Sequence, residues 1–130
     1  MKKFFLFGYC LLSIASCFSR QSTIDSLENI YKTTTNDSIK FSCLINISEK
    51  YLDIHSGKAI PYAERAMELS KKLKMEVGTA LALNYIGVAY YVKGEYNKTI
   101  DYYYQALKIF EAKNDKVRAS GTMNNIANVY

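Results

Sequence analysis

Residues 83–106 read LNYIGVAYYVKGEYNKTIDYYYQA, and parts of this stretch recur on both sides of it. The segment Ile86-Gly87-x-x-Tyr90 returns later in the chain as Ile126-Ala127-x-x-Tyr130. The segment Ala106-Leu107-x-Ile109 has an earlier counterpart at the same displacement, Ala66-Met67-x-Leu69. Both displacements are 40 residues. A fixed period of this length indicates a repeat array, in which each unit buries its apolar face only against its neighbours.

The composition favours helices. The chain has 130 residues, the length of one ordinary domain, of which 49% are hydrophobic and only one is proline. Apolar residues recur at spacings of three and four, as on one face of a helix. An all-α fold is therefore predicted, with helices at about 23–33, 38–52, 58–73, 76–93, 97–112 and from 115 onward.

Turn and cap signals set the predicted boundaries. Thr23 or Ser22 is expected to cap the first helix, whose apolar face carries Ile24, Leu27, Ile30 and Tyr31. Asp37 or Ser38 is expected to cap the second helix, and 53–57 to form the turn after it. Gly94 is expected to end the fourth helix in a left-handed conformation, and Asn114 or Asp115 to cap the sixth.

Residues 1–19 have the pattern of a secretory signal peptide. Lys2 and Lys3 precede an apolar run, 4–16, that spans roughly 20 Å at about 1.5 Å per residue, which is too short to cross a bilayer. The end of this segment, Ile14-Ala15-Ser16-Cys17, resembles a bacterial lipobox, in which Cys17 is lipidated; ordinary cleavage near 16–19 is the alternative. An exported location, periplasmic or membrane-associated, is expected.

Charge and cysteine content argue against several classes of site. Without Lys2 and Lys3, 15 basic and 12 acidic residues leave a net charge of +3, and only Lys71-Lys72-x-Lys74 forms a cluster. These lysines lie at a predicted helix C-terminus, where cations complement the macrodipole, so nucleic acid is not expected as a partner. Cys43 is the one cysteine beyond the signal segment and is interpreted as a small core residue.

No residues suggest catalysis, a metal or a cofactor. His55, the only histidine, lies in the predicted turn between Asp53 and Ser56, where nothing would fix a catalytic dyad. The run 102–104 contains three tyrosines, but helical spacing sends their side chains in directions about 100° apart. Tyr103 is expected in the core, and Tyr102 and Tyr104 at packing edges rather than in a stacking platform.

The stretch Leu83-x-x-Ile86-Gly87-x-x-Tyr90, followed by Gly94-x-Tyr96, Tyr103 and Ala106, resembles the tetratricopeptide repeat (TPR). The resemblance implies an all-α solenoid of antiparallel helix pairs in a right-handed superhelix. It covers a full repeat over 80–113 and is looser over 39–73. The residues it assigns to packing within and between repeats are Ile86, Gly87, Tyr90, Tyr96, Tyr103, Ala106, Ala66 and Ala59. Thr99 stands where the family usually has alanine. The period of 40 residues is longer than the roughly 34 residues of the common repeat, and it indicates the long-period branch of the family.

This pattern divides the chain into five segments. A signal peptide (1–19) precedes an N-terminal capping helix (20–36), a first TPR-like repeat (37–74), a second repeat (75–113) and the first helix of an incomplete third (114–130). The last helix has no partner within the sequence, so Ile126, Val129 and Tyr130 are expected to face water, at roughly 1.5–3 kcal/mol each. The chain is therefore expected to be the N-terminal part of a longer protein.

The resemblance also implies a concave groove lined by the first helix of each repeat. The groove residues it implies are Asn84, Val88, Tyr91, Asn124 and Asn128. Asparagine can hydrogen-bond a peptide backbone as donor and acceptor, although it can equally well solvate an exposed helix face. Because Ile45 and Val88 stand where a basic carboxylate clamp would need charge, recognition of acidic C-terminal tails is not expected.

The function implied is a protein-binding scaffold without chemistry of its own, which takes a protein or peptide in the groove. The alternative is the extracytoplasmic sensor region of a membrane-bound histidine kinase or DNA-binding regulator. The signal segment, the phrase Ile24-Asp25-Ser26-Leu27 and the long period resemble such exported signalling proteins of the Bacteroidetes. Contact with a membrane is expected only through lipidation of Cys17 or a downstream transmembrane helix.

Overall fold

In a computed structural model of the protein, the described residues form five helices. The structure describes residues 4–130, with side chains from residue 18 onward. The helices are α1 (Phe4–Thr33), α2 (Asp37–Lys72), α3 (Glu76–Val92), α4 (Tyr96–Ala112) and α5 (Lys116–Val129). No strand occurs among the described residues, and the all-α prediction is confirmed.

Helix α2 contains a kink where the sequence predicts a turn. His55 has φ −160° and ψ 86°, while the residues on both sides of it keep helical geometry. The two halves pack on each other: Ser48 Oγ donates a buried hydrogen bond of 3.0 Å to the carbonyl of Ala59, and Leu44 shares a buried cluster with Ala66. The predicted turn is thus reduced to a single non-helical residue.

The ends of α2, α3 and α4 share one turn geometry that recurs at even intervals along the chain. Lys74, Gly94 and Asn114 have positive φ angles of 57°, 77° and 55°. After α3, the Gly94 N–H bonds to the Tyr91 carbonyl and the Glu95 N–H to the Tyr90 carbonyl, both at 2.9 Å. The same pair of bonds follows α2 and α4, so each helix ends in a Schellman motif. Of these three residues, only Gly94 was predicted from the sequence to be left-handed, because glycine adopts this conformation without strain.

The structure corrects the predicted start of α2 and confirms that of α5. Asn36 caps α2, since its Oδ1 accepts hydrogen bonds from the N–H groups of Ser38 (2.9 Å) and Ile39 (3.2 Å); the predicted caps Asp37 and Ser38 lie inside the helix. At α5, Asp115 is the capping residue of the two proposed, and its Oδ1 accepts from Arg118 N–H at 3.1 Å.

Helix α1 does not begin at Ser22 or Thr23, because it is already helical from Phe4. The Thr23 hydroxyl bonds back to the Ser19 carbonyl at 3.0 Å, which is an interaction inside a helix and not a cap. Of the predicted apolar face, Ile24 is completely buried, whereas Ile30 is 44% exposed and lies outside the core. The hydroxyl-rich stretch before Ile24 was therefore misread as a boundary.

The core consists of three buried clusters between helices that follow each other in sequence. One joins α1, α2 and α3, with Ile24, Ile47 and Ala89. A second joins α2 and α3, with Leu44, and a third joins α3, α4 and α5 around Phe110. Within the part of the chain that the structure describes, the extensive helix–helix contacts are between sequence neighbours, so burial builds up stepwise. Cys43 is buried, as predicted, and its desolvation raises the pKa of the thiol.

The exposure expected for the last helix is partly wrong. Ile126 is only 8% exposed, because α5 packs on α4 and places this side chain in the cluster that α3 and α4 share. Val129 is half-buried at the edge of the same cluster, and Tyr130 is exposed. Helix α5 thus obtains a buried face from the two helices that precede it.

Candidate partner-binding cleft

A small residue lets α3 and α4 approach closely at the centre of the molecule. A Cβ built on Gly87 would lie 2.6 Å from both Cδ1 and Cε1 of Tyr103, so only glycine fits against this ring. Tyr103 is 3% exposed, and Ala106, one turn further along α4, is fully buried. The buried Tyr103 ring therefore fills the space that a side chain at position 87 would need.

Tyr103 forms part of a cleft between α3, α4 and α5. The cleft has a volume of about 390 Å³ and is lined by Val88, Tyr91, Tyr103, Asn125 and Asn128. Val88 packs against the core, Tyr91 is 40% exposed, and Asn128 lies on the exposed side. The cleft is thus lined by two tyrosine rings, from α3 and α4, and by two amides from α5.

No charged residue lines this cleft. The pKa of Tyr103 is raised to about 12, chiefly because burial disfavours the phenolate and secondarily because Tyr91 is nearby. The phenol is therefore neutral at pH 7. Neutral hydroxyl and amide groups beside apolar side chains suit an uncharged polar ligand such as a peptide backbone with an apolar side chain.

The structure brings together only part of the predicted groove. Val88, Tyr91 and Asn128 line the cleft as a group. Asn84 is half-buried, and its Oδ1 accepts a hydrogen bond of 3.4 Å from Thr122 of α5, so it links two helices. Asn124 is exposed and lies outside the cleft lining.

Asn125 was missed in the sequence, although a signal for it was present. It lies three positions before Asn128, and positions three apart share one face of a helix. The sequence period pointed instead to Asn124, the counterpart of Asn84. Because one residue along a helix rotates the side chain by about 100°, the neighbouring asparagine reaches the cleft and Asn124 does not.

The residues assigned to repeat packing differ in burial. Ile86, Ala59 and Ala66 are fully buried, like Ala106. Tyr90 is half-buried and stacks on Tyr102, with ring centroids 5.5 Å apart and an interplanar angle of 10°. Tyr96 is 52% exposed; its ring lies 5.7 Å from that of Tyr91 at the surface rather than in the core.

The tyrosine pair of α3 and α4 has a counterpart in α2 that the sequence did not reveal. Tyr51 and Tyr62 stack with centroids 5.5 Å apart, and Lys58 lies 5.8 Å above the Tyr51 ring. Between α3 and α4, Lys98 lies 4.8 Å above the Tyr90 ring. Lys58 and Lys98 are separated by one sequence period, as are Tyr62 and Tyr102, so the period of the sequence is also a period of contacts.

The residues considered for catalysis are not assembled. His55 is exposed at the kink of α2, and Asp53 forms an ion pair with Arg20 at 3.4 Å. Among the side chains from residue 18 onward, no group of three or more His, Cys, Asp or Glu residues could hold a metal ion.

Most of the predicted signal segment, including Cys17, falls outside the side chains that the structure describes, so its cleavage and lipidation stay predictions. Within the described part, no helix is both long and apolar enough to span a bilayer.

Comparisons with known proteins identify no relative: no family model matches the chain, and no curated protein or solved structure matches it significantly. The resemblance to tetratricopeptide repeats therefore depends on the residues quoted above.

Proposed function

We propose that this chain is a TPR-like solenoid of antiparallel helix pairs that binds a protein or peptide in the cleft between α3, α4 and α5. The observation that carries the proposal is this cleft, formed by the three helices around the contact of Gly87 with Tyr103. Its neutral, partly aromatic lining suits the backbone and one apolar side chain of an extended segment.

The repeating contacts support the solenoid part of the proposal. Evenly spaced Schellman turns, tyrosine pairs that recur with the sequence period and packing between sequence neighbours are the features of an array of similar units. In such an array the surface not used for packing between units is free for a partner. The cleft lies on that remaining surface.

The test is selection of peptide ligands followed by a matched pair of substitutions on one helix. A phage-displayed library of dodecapeptides is selected on the immobilised chain, and the enriched peptides are measured by fluorescence anisotropy. Asn128→Glu places a charge in the cleft, and Asn124→Glu places the same charge one turn away, outside the lining. Both asparagines are exposed, so both variants are expected to keep the helical circular dichroism of the parent.

We expect the affinity for the enriched peptides to fall at least tenfold in Asn128→Glu and to change less than twofold in Asn124→Glu. Tyr91→Ala, which removes one of the two tyrosine rings of the lining, should weaken binding by a similar factor. Failure to enrich any peptide, or equal losses in the two asparagine variants, would remove the cleft as the binding site.

A further inference from the structure

A second, larger cleft lies at the other end of α3. It has a volume of about 560 Å³ and is formed by the C-terminal ends of α2 and α4 together with the first turn of α3. On α3, the nearest lining residues of the two clefts are Thr79 and Val88, which are nine positions apart, roughly 14 Å at the helical rise. The two clefts share no lining residue.

The floor of this second cleft is apolar. Met75, Ile109 and Ala112 contribute to its lining. The two buried hydroxyl groups there, Ser70 and Thr79, are hydrogen-bonded to each other at 2.8 Å. Ser70 Oγ also donates to the Met67 carbonyl at 2.8 Å and Thr79 Oγ1 to the Met75 carbonyl at 3.3 Å. Because both hydroxyl groups are already hydrogen-bonded within the protein, the floor offers a ligand mainly apolar contact.

The rim of the cleft is basic. Lys71, Lys74, Lys108 and Lys113 line it, against one acidic residue, Glu76. Lys113 is paired with Glu76, whereas the other three lysines form no ion pair within 4.0 Å among the described residues. Three ammonium groups around an apolar floor attract carboxylates by charge complementarity.

A neighbouring cleft extends this surface. Its volume is about 430 Å³, and it shares Lys74, Met75, Glu76 and Lys113 with the larger one. It adds apolar lining from Phe41 and Leu81. The two concavities therefore meet at a common boundary that carries charge. A flat bilayer surface cannot enter two separate clefts, whereas an elongated chain with two apolar side chains can.

We propose that these adjoining clefts, here called the lysine-rimmed double cleft, bind an extended acidic peptide segment. One apolar side chain of the segment occupies each cleft, and the carboxylates between and beside them face the lysines. This surface is separate from the cleft between α3, α4 and α5, so that the chain could join two partners at once.

The probes are fluorescein-labelled peptides in which two leucines are separated by two, three or four aspartates, with further aspartates at both ends. Matched peptides carry serine in place of leucine, which keeps the charge and removes the apolar groups. Binding to the whole chain is measured by fluorescence anisotropy. The variant Lys71→Glu/Lys108→Glu reverses the charge of the rim, and Lys32→Glu/Lys50→Glu makes the same change of net charge away from it.

We expect at least one leucine peptide to bind at least tenfold more tightly than its serine match. The rim variant should lower its affinity at least tenfold and the control variant less than twofold, while Asn128→Glu leaves it unchanged. Raising NaCl from about 0.05 to about 0.5 M should weaken binding, because salt screens lysine–carboxylate attraction. In ¹⁵N-resolved spectra, the peptide should shift the amides of Thr79 and Ile109.

Several results would overturn the proposal. Equal affinity for leucine and serine peptides would leave only non-specific charge attraction. Equal losses in the two double variants would mean that net charge, and not the rim, governs binding. Binding to phosphatidylglycerol vesicles without binding to any leucine peptide would assign the surface to an anionic membrane.

Discussion

Replacing Gly87 by alanine tests the close approach of α3 and α4 directly. The added methyl group would lie 2.6 Å from two ring atoms of Tyr103, about 1 Å inside the roughly 3.5–4.0 Å at which carbon atoms pack best. The Tyr103 ring is buried at 3% exposure, so it cannot swing into solvent without losing its own packing. Overpacking of this kind typically costs about 1–3 kcal/mol.

A second effect of the same substitution has the opposite sign. Alanine is a better helix former than glycine by about 0.5–1 kcal/mol in a helix interior. This gain subtracts from the overpacking cost, so a net destabilisation of about 1 kcal/mol, between limits of about 0 and 2.5 kcal/mol, is expected for Gly87→Ala. That is a considerable fraction of a stability of about 5–15 kcal/mol, and large enough to measure.

Gly121 provides the matched control. It also lies inside a helix, α5, but nothing is within 4 Å of a Cβ placed there. Gly121→Ala should therefore stabilise the protein by about 0.5–1 kcal/mol through helix propensity alone. The two substitutions make the same chemical change, and their opposite signs isolate the steric term.

The assay is urea unfolding followed by far-ultraviolet circular dichroism. A lower midpoint with an unchanged slope is expected for Gly87→Ala, and a higher midpoint for Gly121→Ala. In a double-mutant cycle, Tyr103→Leu should relieve the clash and give a favourable coupling of about 0.5 kcal/mol or more. Stabilisation of Gly87→Ala equal to that of Gly121→Ala would refute the close approach.

Three further predictions concern hydrogen bonds of α2. Ser48→Ala removes a buried hydrogen bond to the backbone across the kink and should lower the free energy of unfolding in urea by about 0.5–1.5 kcal/mol. Ser42→Ala, at an exposed site, should change it by less than about 0.5 kcal/mol. Equal effects would mean that the hydrogen bond across the kink does not stabilise the fold. In the same assay, Asn36→Ala should lower the free energy of unfolding by about 1 kcal/mol and Asp37→Ala by less, because Asn36 caps α2. The reverse order would mean that Asp37 is the capping residue. Burial and a 2.5 Å hydrogen bond to a glutamate of α1 raise the pKa of Tyr62 to about 12. Since the folded pKa is higher than that of an unfolded tyrosine, near 10, the stabilisation is complete below about pH 10 and is lost as the pH rises towards about 12. The free energy of unfolding, measured at pH 9, 10 and 11, should fall over this range, and it should fall less in Tyr62→Phe. An equal fall in Tyr62→Phe and in the parent protein would contradict the prediction.

Local signals in the sequence predicted the succession of helices and turns well. Apolar spacing placed α3 and α4 within a residue of their observed ends, and Gly94 marked its turn because glycine accepts a positive φ without strain. The period was visible because the residues around Ile86 and Ala66 have similar counterparts around Ile126 and Ala106 at the same displacement. These features depend on short-range backbone geometry and residue size, which a single sequence records directly.

Other features were decided only in the folded protein. The positive φ of Lys74 has no local signature, because lysine adopts it here only to close a turn between packed helices. Similarly, Asn36 and Asp37 are both good caps in isolation, and the geometry of the turn selects the first.

The sequence by itself determined that the chain is helical, where most turns fall and which small residues recur with the period. Tertiary structure alone decided that Ile126 is buried, that Asn84 bonds to Thr122 and that Asn125 rather than Asn124 lines the cleft. The physical reason is the rotation of each helix about its own axis. A shift of one residue turns a side chain by about 100°, and this rotation is fixed by packing against the neighbouring helices rather than by the helix's own residues.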